Sequence, residues 1–553
     1  LRPALEGRWT VQTASGPVEV TTVFELLKQQ LQAYTPERAA KITGVHADNI
    51  RVVARRFARA KPGMIFAGYR VNKWLHGDLI MRAWLLLCAL TGNTGRAGGG
   101  IQTTQLPNAD GMLKYVFNGA PPALRVAAVS LWDYAHADGA AMNRRLYGEA
   151  YAEHVDQRYR EAVKRRWLPD YGAKPWKMAI MAGHNPANWR ATGRDWRDSA
   201  LAKLDTIVAM TPSMSVTALL ADYVLPIADH YERQDIVMEG RTPYVQVIDA
   251  AVPPIGESLD DWAALEKLSA AISRRARERG IAPIEGEFFG NPVQWDYQQL
   301  HKTYKTLRLP DGKQIEVKST RDVAEFMIAG SSGLSQVSFD RLQKEGFLRV
   351  DDADDVQFGP KAPYSYYVLA SVRDKRPYAT LTGRQQFYMD HEWFLQEGEA
   401  LPLHKEPLAL KGHRMRLTMG HARHGVHSMY RDDPLLVSLQ RGEPDVYVNP
   451  RDAAERGVSD GDLIRVYNEL GAFVAQAHLS ENTQPGTLFM YHGWDPVMFR
   501  GRDNFSSVIS TRGLLKPVQM VGGYGHISYR APDNVPNQTF HDSSCEFEKF
   551  VEA

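Results

Sequence analysis

Two short apolar runs, Trp176–Ala182 and Leu204–Met210, constrain this chain most, because each has the length of a buried strand and ends in a polar turn. The first leads into Gly183-His-Asn-Pro186, and the second into Thr211-Pro-Ser-Met-Ser-Val-Thr217 and an Ala/Leu-rich helix. A third strand, Met64–Ala67, runs into the loop Gly68–Trp74 and then an apolar helix, Leu79–Leu90. Strand, turn and helix in alternation predict a mostly parallel, doubly wound α/β sheet, which takes its ligands where the strands end.

On the amino-terminal side, Val23, Phe24, Leu26, Leu27 and Leu31 form a helical stripe, and Thr35-Pro-Glu-Arg is a helix start with Pro at the first position. After the α/β region the texture loosens. Gly256–Lys361 holds a basic helix, Ser273–Arg279, and polar turns, and reads as surface insertion and connection. From about Pro363 short alternating strands follow, among them Leu463–Tyr467, Ala472–Leu479 and Thr487–Tyr491, and these predict a β-barrel.

Composition narrows the chemistry. Lys plus Arg number 66 against 64 Asp plus Glu, and a net charge of +2 on 553 residues gives no electrostatic case for nucleic acid or an anionic membrane. The longest apolar run, Leu79–Leu90, is well short of the ~20 residues that cross a bilayer. Cys88 and Cys545 are the only cysteines, too few for an iron–sulfur cluster or a four-cysteine zinc site within these residues. They read as buried thiols, with a disulfide the alternative.

Several segments offer ligand chemistry. Thr211, Ser213, Ser215 and Thr217 lie between a strand end and a helix start, where backbone N–H groups favour an anion such as phosphate; plain N-capping explains the same residues. The turn around Gly183 and Asn185 ends a neighbouring strand, so the two strand ends could face one nucleotide. Thr91–Gly100 looks like a phosphate loop but follows a helix, so a glycine C-cap accounts for most of it. His421, His424 and His427 are spaced by three; such steps do not converge on a helix, Gly425 weakens one, and zinc is disfavoured. Lys73, in the loop after a buried strand, is a solvated lysine or an electrostatic stabiliser.

Taken in order, Gly68-Tyr-Arg-Val-Asn-Lys-Trp74, Thr91–Gly95, Ala221-Asp-Tyr-Val-Leu-Pro226 with Tyr231-Glu-Arg233, Leu381-Thr-Gly-Arg-Gln-Gln-Phe-Tyr-Met-Asp-His-Glu-Trp393, His424–Ser428 and Gly522-Gly-Tyr-Gly-His526 resemble the molybdenum catalytic subunits of the dimethyl sulfoxide reductase superfamily. The Leu381–Trp393 segment resembles the branch that holds nitrate, selenate and chlorate reductases, dimethyl sulfide dehydrogenase and ethylbenzene dehydrogenase. The resemblance implies a bis(molybdopterin guanine dinucleotide) molybdenum cofactor between α/β domains, capped by a carboxyl-terminal double-psi β-barrel. It divides the chain into an α/β cofactor-binding remainder at 1–170, a second α/β dinucleotide-binding region at 171–275, a connecting insertion at 276–362 and the barrel at 363–553.

The cofactor residues this resemblance implies are Asn72, Trp74, Gly183, Asn185, Thr211, Ser213, Ser215, Asp222, His424, His427, Ser428, Lys516, Tyr524 and Asn537. The aspartate that binds molybdenum and the cysteine-rich segment that holds a 4Fe-4S cluster in relatives have no counterpart here. The chain therefore resembles the carboxyl-terminal portion of such a subunit, with no metal ligand of its own. The resemblance also implies an iron–sulfur β subunit, often a haem b γ subunit, a small-molecule substrate and a periplasmic setting.

An Asn-Lys-Trp context for Lys73 is similar to the hydrocarbon-hydroxylating members, such as ethylbenzene and steroid C25 dehydrogenases, whereas nitrate reductases carry Asn-His-Trp there. Tyr491-His-Gly-Trp-Asp495 and Lys516-Pro517 are similar to the same enzymes. The leading expectation is thus O2-independent hydroxylation of an activated C–H bond with water, Lys73 being catalytic. The alternatives are an oxyanion reductase for selenate, chlorate or nitrate and, in another class, a structural subunit that keeps the fold without the cofactor.

Overall fold

Three parallel strands, Met178–Ala182, Thr206–Thr211 and Tyr223–Pro226, make the sheet nearest the site. The structure is a computed structural model that describes residues 4–102, 134–238, 244–349 and 371–552, apart from short gaps inside those blocks, the longest at 529–540. Ile207, Val208, Ala209 and Met210 of the central strand are all buried, which explains its unbroken apolar run. Ala182 pairs with Met210, and Thr211 with Pro226, so the carboxyl ends of all three strands share one edge. A second parallel pair, Met64–Phe66 with Gly100–Gln102, is joined through the helix Gly77–Leu90.

The helix signals hold. Thr22 accepts from Glu25 N at 3.1 Å, and Thr35 from Arg38 N at 3.2 Å with Pro36 opening its helix. The Thr91–Gly95 turn is the C-cap of an apolar helix: Gly92 N donates to the Ala89 carbonyl at 3.1 Å, and the buried Asn93 side chain accepts from Gly63 N at 2.9 Å.

Two expectations need correction. The helix after Thr211 is a single turn, Val216–Leu219, because the apolar run that follows is recruited as the strand Tyr223–Pro226. The 276–362 insertion is not merely a surface connection, and no boundary falls at its start. The helix Asp261–Glu278 runs across residue 275, and Phe347–Arg349 pairs with Tyr244–Ile248 of the preceding region. Val245, Phe339, Leu342 and Leu348 then close a common core. That pairing joins segments about a hundred residues apart, which local patterning could not reveal.

A closed six-stranded barrel forms the carboxyl-terminal unit. Its strands, in ring order, are Met415–Gly420, Thr487–Tyr491, Asp445–Val448, Gly471–Leu479, Leu463–Asn468 and Ser543–Lys549. Two neighbouring pairs are parallel, Met415–Gly420 with Thr487–Tyr491 and Asp445–Val448 with Gly471–Leu479. Alternate residues point inward, so Leu417, Val446, Val448, Ile464, Val466, Leu488 and Met490 fill the barrel, each contributing about 1.5–3 kcal/mol by burial where fully apolar. The barrel starts at Met415, not near 363; among the described residues 371–414 carry no strand.

Cys88 and Cys545 are free and buried, as thiols, and burial raises the Cys545 thiol to about 12. The Leu381–Trp393 motif has a packing role: Trp393 lies under Arg158 at 4.4 Å and donates to Glu161 at 3.0 Å, clamping the helix Glu149–Lys164. No helix among the described residues is long and apolar enough to cross a membrane.

Candidate functional site

The register of one strand pair builds the site. Met415–Gly420 and Thr487–Tyr491 run parallel with Gly420 opposite Tyr491, so the next residue of each, His421 and His492, emerges side by side at one barrel rim. An antiparallel pairing would have sent them to opposite rims. The His492 ring is fixed by Nδ1, 2.6 Å from the Gly420 carbonyl, so Nδ1 carries the proton and Nε2 is an acceptor. His427 Nδ1 lies 3.0 Å from that Nε2 and donates to it. Ring centroids of His421 stand 4.6 Å from His427 and 4.5 Å from His492.

Arg431 holds this rim together. It is buried and stacks over Trp494 at 4.4 Å; its Nε donates to the Gly493 carbonyl at 3.1 Å, and Nη2 to the carbonyls of His492 at 3.1 Å and His427 at 3.3 Å. Gly493 passes so close to His427 that a Cβ there would sit 1.9 Å from the His427 carbonyl oxygen. His427 itself has a φ of 52°, a left-handed conformation uncommon for a side-chain-bearing residue and often found at functional sites.

The α/β sheet meets the rim through Asn185. Its Oδ1 accepts from Thr217 N at 3.1 Å and Thr217 Oγ1 at 2.8 Å, and its Nδ2 donates to Ser428 Oγ at 3.0 Å. Three residues on in the same turn region, Asn188 donates to Asp495 at 2.6 Å and to the Trp494 carbonyl at 3.1 Å. Lys73 arrives from a third element. Its carbonyl accepts from His541 N at 3.3 Å, His541 Nδ1 accepts from Met419 N at 3.3 Å, and the Trp74 and His541 rings are 6.3 Å apart.

Cationic groups and imidazoles dominate the site, beside the Asp495 carboxyl that Asn188 holds and that desolvation raises above its usual value. Desolvation, and next the Arg190 guanidinium, push the Lys73 ammonium below its usual value, although the residue keeps exposed surface. Desolvation, then His421, lower both His427 and His492, with Lys73 adding to each; His492 falls to about 4. His184, desolvated and facing Arg190, also falls to about 4. These imidazoles are neutral at pH 7.

The site residues expected from the sequence separate into groups. Lys73, Trp74, Asn185, His427 and Ser428 come together at the rim. Gly183, Thr211, Ser213 and Ser215 lie along the strand-end edge, but Thr211 Oγ1 closes its own turn on the Ser213 carbonyl at 2.8 Å, and Ser215 caps Ala218 N at 3.2 Å. The capping reading of this segment describes those two hydroxyls, and a four-residue helix offers little dipole for an anion. Asp222 lies at the other end of the sheet, where its carboxylate accepts from Ile207 N at 2.7 Å and sets strand register. His424 stays outside the imidazole cluster, its place taken by His492 from a different strand. Asn72, Lys516, Tyr524 and Asn537 lie outside the described residues. Arg190, Arg431 and His492 were missed as site residues, since only the barrel register brings His492 to His421.

Comparison with known proteins gives the same picture. Residues 32–271 match the Molybdopterin oxidoreductase family model, and residues 415–513 match the Molydopterin dinucleotide binding domain. The chain is 34% identical over 546 residues to the respiratory nitrate reductase subunit alpha of Haloferax mediterranei, covering 94% of this chain and 53% of that one. It is 31% identical over 560 residues to the dimethylsulfide dehydrogenase subunit alpha of Rhodovulum sulfidophilum, covering 99% and 59%. With the perchlorate reductase subunit alpha of Dechloromonas aromatica it shares 32% identity over 570 residues, covering 100% and 58%. The chain thus spans a little over half the length of these curated relatives. Among solved structures, acetylene hydratase from Pelobacter acetylenicus has the same fold, with a TM-score of 0.56, 17% identity and coverage of 95% of this chain and 66% of that one.

Proposed function

The chain belongs to the molybdopterin oxidoreductase family, its barrel being the dinucleotide-binding domain, and on that premise we propose that it is the catalytic part of an oxyanion reductase acting on a nitrogen or chlorine oxyanion. The observation that carries this reading is the alignment of 94% and 100% of this chain with nitrate and perchlorate reductase subunits at 34% and 32% identity. None of the three relatives named above is a hydrocarbon hydroxylase, so that expectation rests on the Asn72-Lys73-Trp74 context and the two carboxyl-terminal segments alone. Dimethylsulfide dehydrogenase is named for the opposite direction, oxidation of its substrate, so the direction of oxygen-atom transfer is part of the test.

The residues at the rim fit a molybdopterin dinucleotide in donor chemistry. Neutral imidazoles of His427 and His492, the Asn185 amide and the Ser428 hydroxyl suit a pterin edge, while Lys73 and Arg190 suit anionic groups. The cofactor, when bound, supplies a two-electron centre that exchanges an oxygen atom with substrate. The chain's own groups do the rest. Asn185 and Ser428 orient, Arg431 keeps the two rim segments in register, and Lys73 with Arg190 favours entry of a negatively charged acceptor. Reduction takes two electrons and two protons and releases one water with each oxygen removed. We further propose that electrons arrive from an iron–sulfur partner, with a 4Fe-4S cluster in a part of the enzyme beyond these residues, and that the enzyme works in the periplasm.

The test compares initial rates of the whole enzyme with its partner: oxidation of reduced viologen by nitrate, chlorate and perchlorate against dye reduction by ethylbenzene or a sterol. Faster oxyanion turnover supports the proposal. Dye reduction by the hydrocarbon without oxyanion turnover restores the hydroxylase reading.

A further inference from the structure

Proximity of three imidazoles has a consequence independent of which acceptor is reduced. The candidate ligand atoms of His421, His427 and His492 all lie within 4.8 Å of one another. We propose that these three residues form a binding site for a divalent transition metal of the zinc, cobalt or nickel type in the chain that carries no molybdopterin cofactor.

The geometry is close to that of a three-histidine site. Metal–nitrogen bonds of about 2.0–2.1 Å set tetrahedral ligand nitrogens roughly 3.4 Å apart, so no separation need close by more than about 1.4 Å. His421 and His427 are exposed at the rim and can turn to do so, whereas His492 is the fixed point. The hydrogen bond from His492 Nδ1 to the Gly420 carbonyl is the outer contact that orients a metal-binding imidazole and leaves Nε2 to the metal. His427 Nδ1 becomes a donor atom to the metal by moving its proton to Nε2, a tautomer change with no net proton loss. Arg431, tied to the carbonyls of His427, His492 and Gly493, prevents the two chain segments from drifting apart.

The donor set also selects the ion. All three ligands are imidazoles, which suit zinc, cobalt, nickel and copper, and the cluster has no carboxylate to favour calcium or magnesium. Lys73 is near enough to bear electrostatically on both His427 and His492. An anion such as chloride in the remaining coordination position offsets that like charge. His424, three residues from both His421 and His427, is excluded by position and serves as the internal control.

The experiment titrates Co2+ into the whole catalytic subunit that contains residues 1–553, made in cells that cannot synthesise molybdopterin, and follows the visible difference absorption, with Zn2+ as competitor. The expected result is a saturable four-coordinate cobalt spectrum that Zn2+ abolishes. His421→Ala, at an exposed position, and His492→Ala each weaken Co2+ binding at least ~10-fold, the lower end of what loss of a supporting group costs. His424→Ala leaves it unchanged. Circular dichroism matching the parent shows that the His421→Ala chain is folded. A spectrum without four-coordinate bands, unchanged affinity in folded His421→Ala, or an equal loss in His424→Ala overturns the proposal.

Discussion

Asn185 reaches from the end of an α/β strand to Ser428 at the barrel rim, its Nδ2 3.0 Å from Ser428 Oγ, while its Oδ1 takes two hydrogen bonds from Thr217. One amide thus joins the two cofactor-binding units. Asn185→Ala leaves Thr217 N without its side-chain acceptor and frees the Ser428 loop, at a cost of about 1–3 kcal/mol. Denaturant unfolding of the variant should show that loss, and the purified enzyme should retain less molybdopterin than the parent. Full cofactor content would remove Asn185 from the seat.

Gly493 locks the rim from the neighbouring strand end. Its φ of 97° and the 1.9 Å approach to the His427 carbonyl leave no room for a methyl group. Gly493→Ala should destabilise by on the order of 3 kcal/mol or more, the penalty for backbone overlap at a strained position. Gly461→Ala, at a barrel turn where a Cβ meets nothing closer than 3.9 Å, controls for the left-handed φ alone and should cost less. Equal thermal midpoints for the two variants would show that the rim is looser than described.

Lys73 should act through charge if the acceptor is an anion. Lys73→Met is expected to raise KM for nitrate or chlorate about 10-fold or more while leaving KM for a neutral sulfoxide within about 2-fold, and Lys73→Arg should restore most of the difference. Equal effects on anionic and neutral acceptors would mean that Lys73 serves some other purpose, including the C–H chemistry that its Asn-Lys-Trp context resembles.

The half-buried imidazoles set a pH dependence whose sign is fixed. His184 has an ordinary value of ~6.5 when unfolded and about 4 when folded. Between those values the unfolded chain binds a proton that the folded chain does not. Stability is therefore whole above pH ~6.5 and declines as pH falls toward 4, with no further loss from this group below that. His492 adds a decline of the same sign in the same window. His184→Gln should flatten part of the slope in urea midpoints measured from pH 7 to 4.5, and a steeper slope would contradict the assignment.

The sequence carried three of the α/β strands, the capped helices and half of the barrel strands because each has a local cause: an apolar run of strand length, Thr35 before Pro36, alternation in Leu463–Asn468. What it lacked was non-local. Pairing of Phe347–Arg349 with Tyr244–Ile248 turned an apparent connection into core, and parallel pairing of Met415–Gly420 with Thr487–Tyr491 replaced His424 by His492 in the imidazole cluster. Asp222 shows the reverse error. Its place in a shared motif suggested cofactor contact, yet its carboxylate holds the backbone of Ile207 at the far end of the sheet. A conspicuous motif can mark a folding requirement as readily as a site.

Oxyanion reduction by the enzyme that contains this chain is the central proposal. Its most direct test is an anaerobic titration of the dithionite-reduced whole enzyme, freed of excess reductant, with chlorate or nitrate, following the molybdenum electron spin resonance signal and the bleaching of the iron–sulfur centres. Stoichiometric reoxidation is the expected result, two electrons for each oxygen removed from the anion. A reduced enzyme that oxyanions leave unchanged, and an oxidised one that a hydrocarbon reduces, would contradict it.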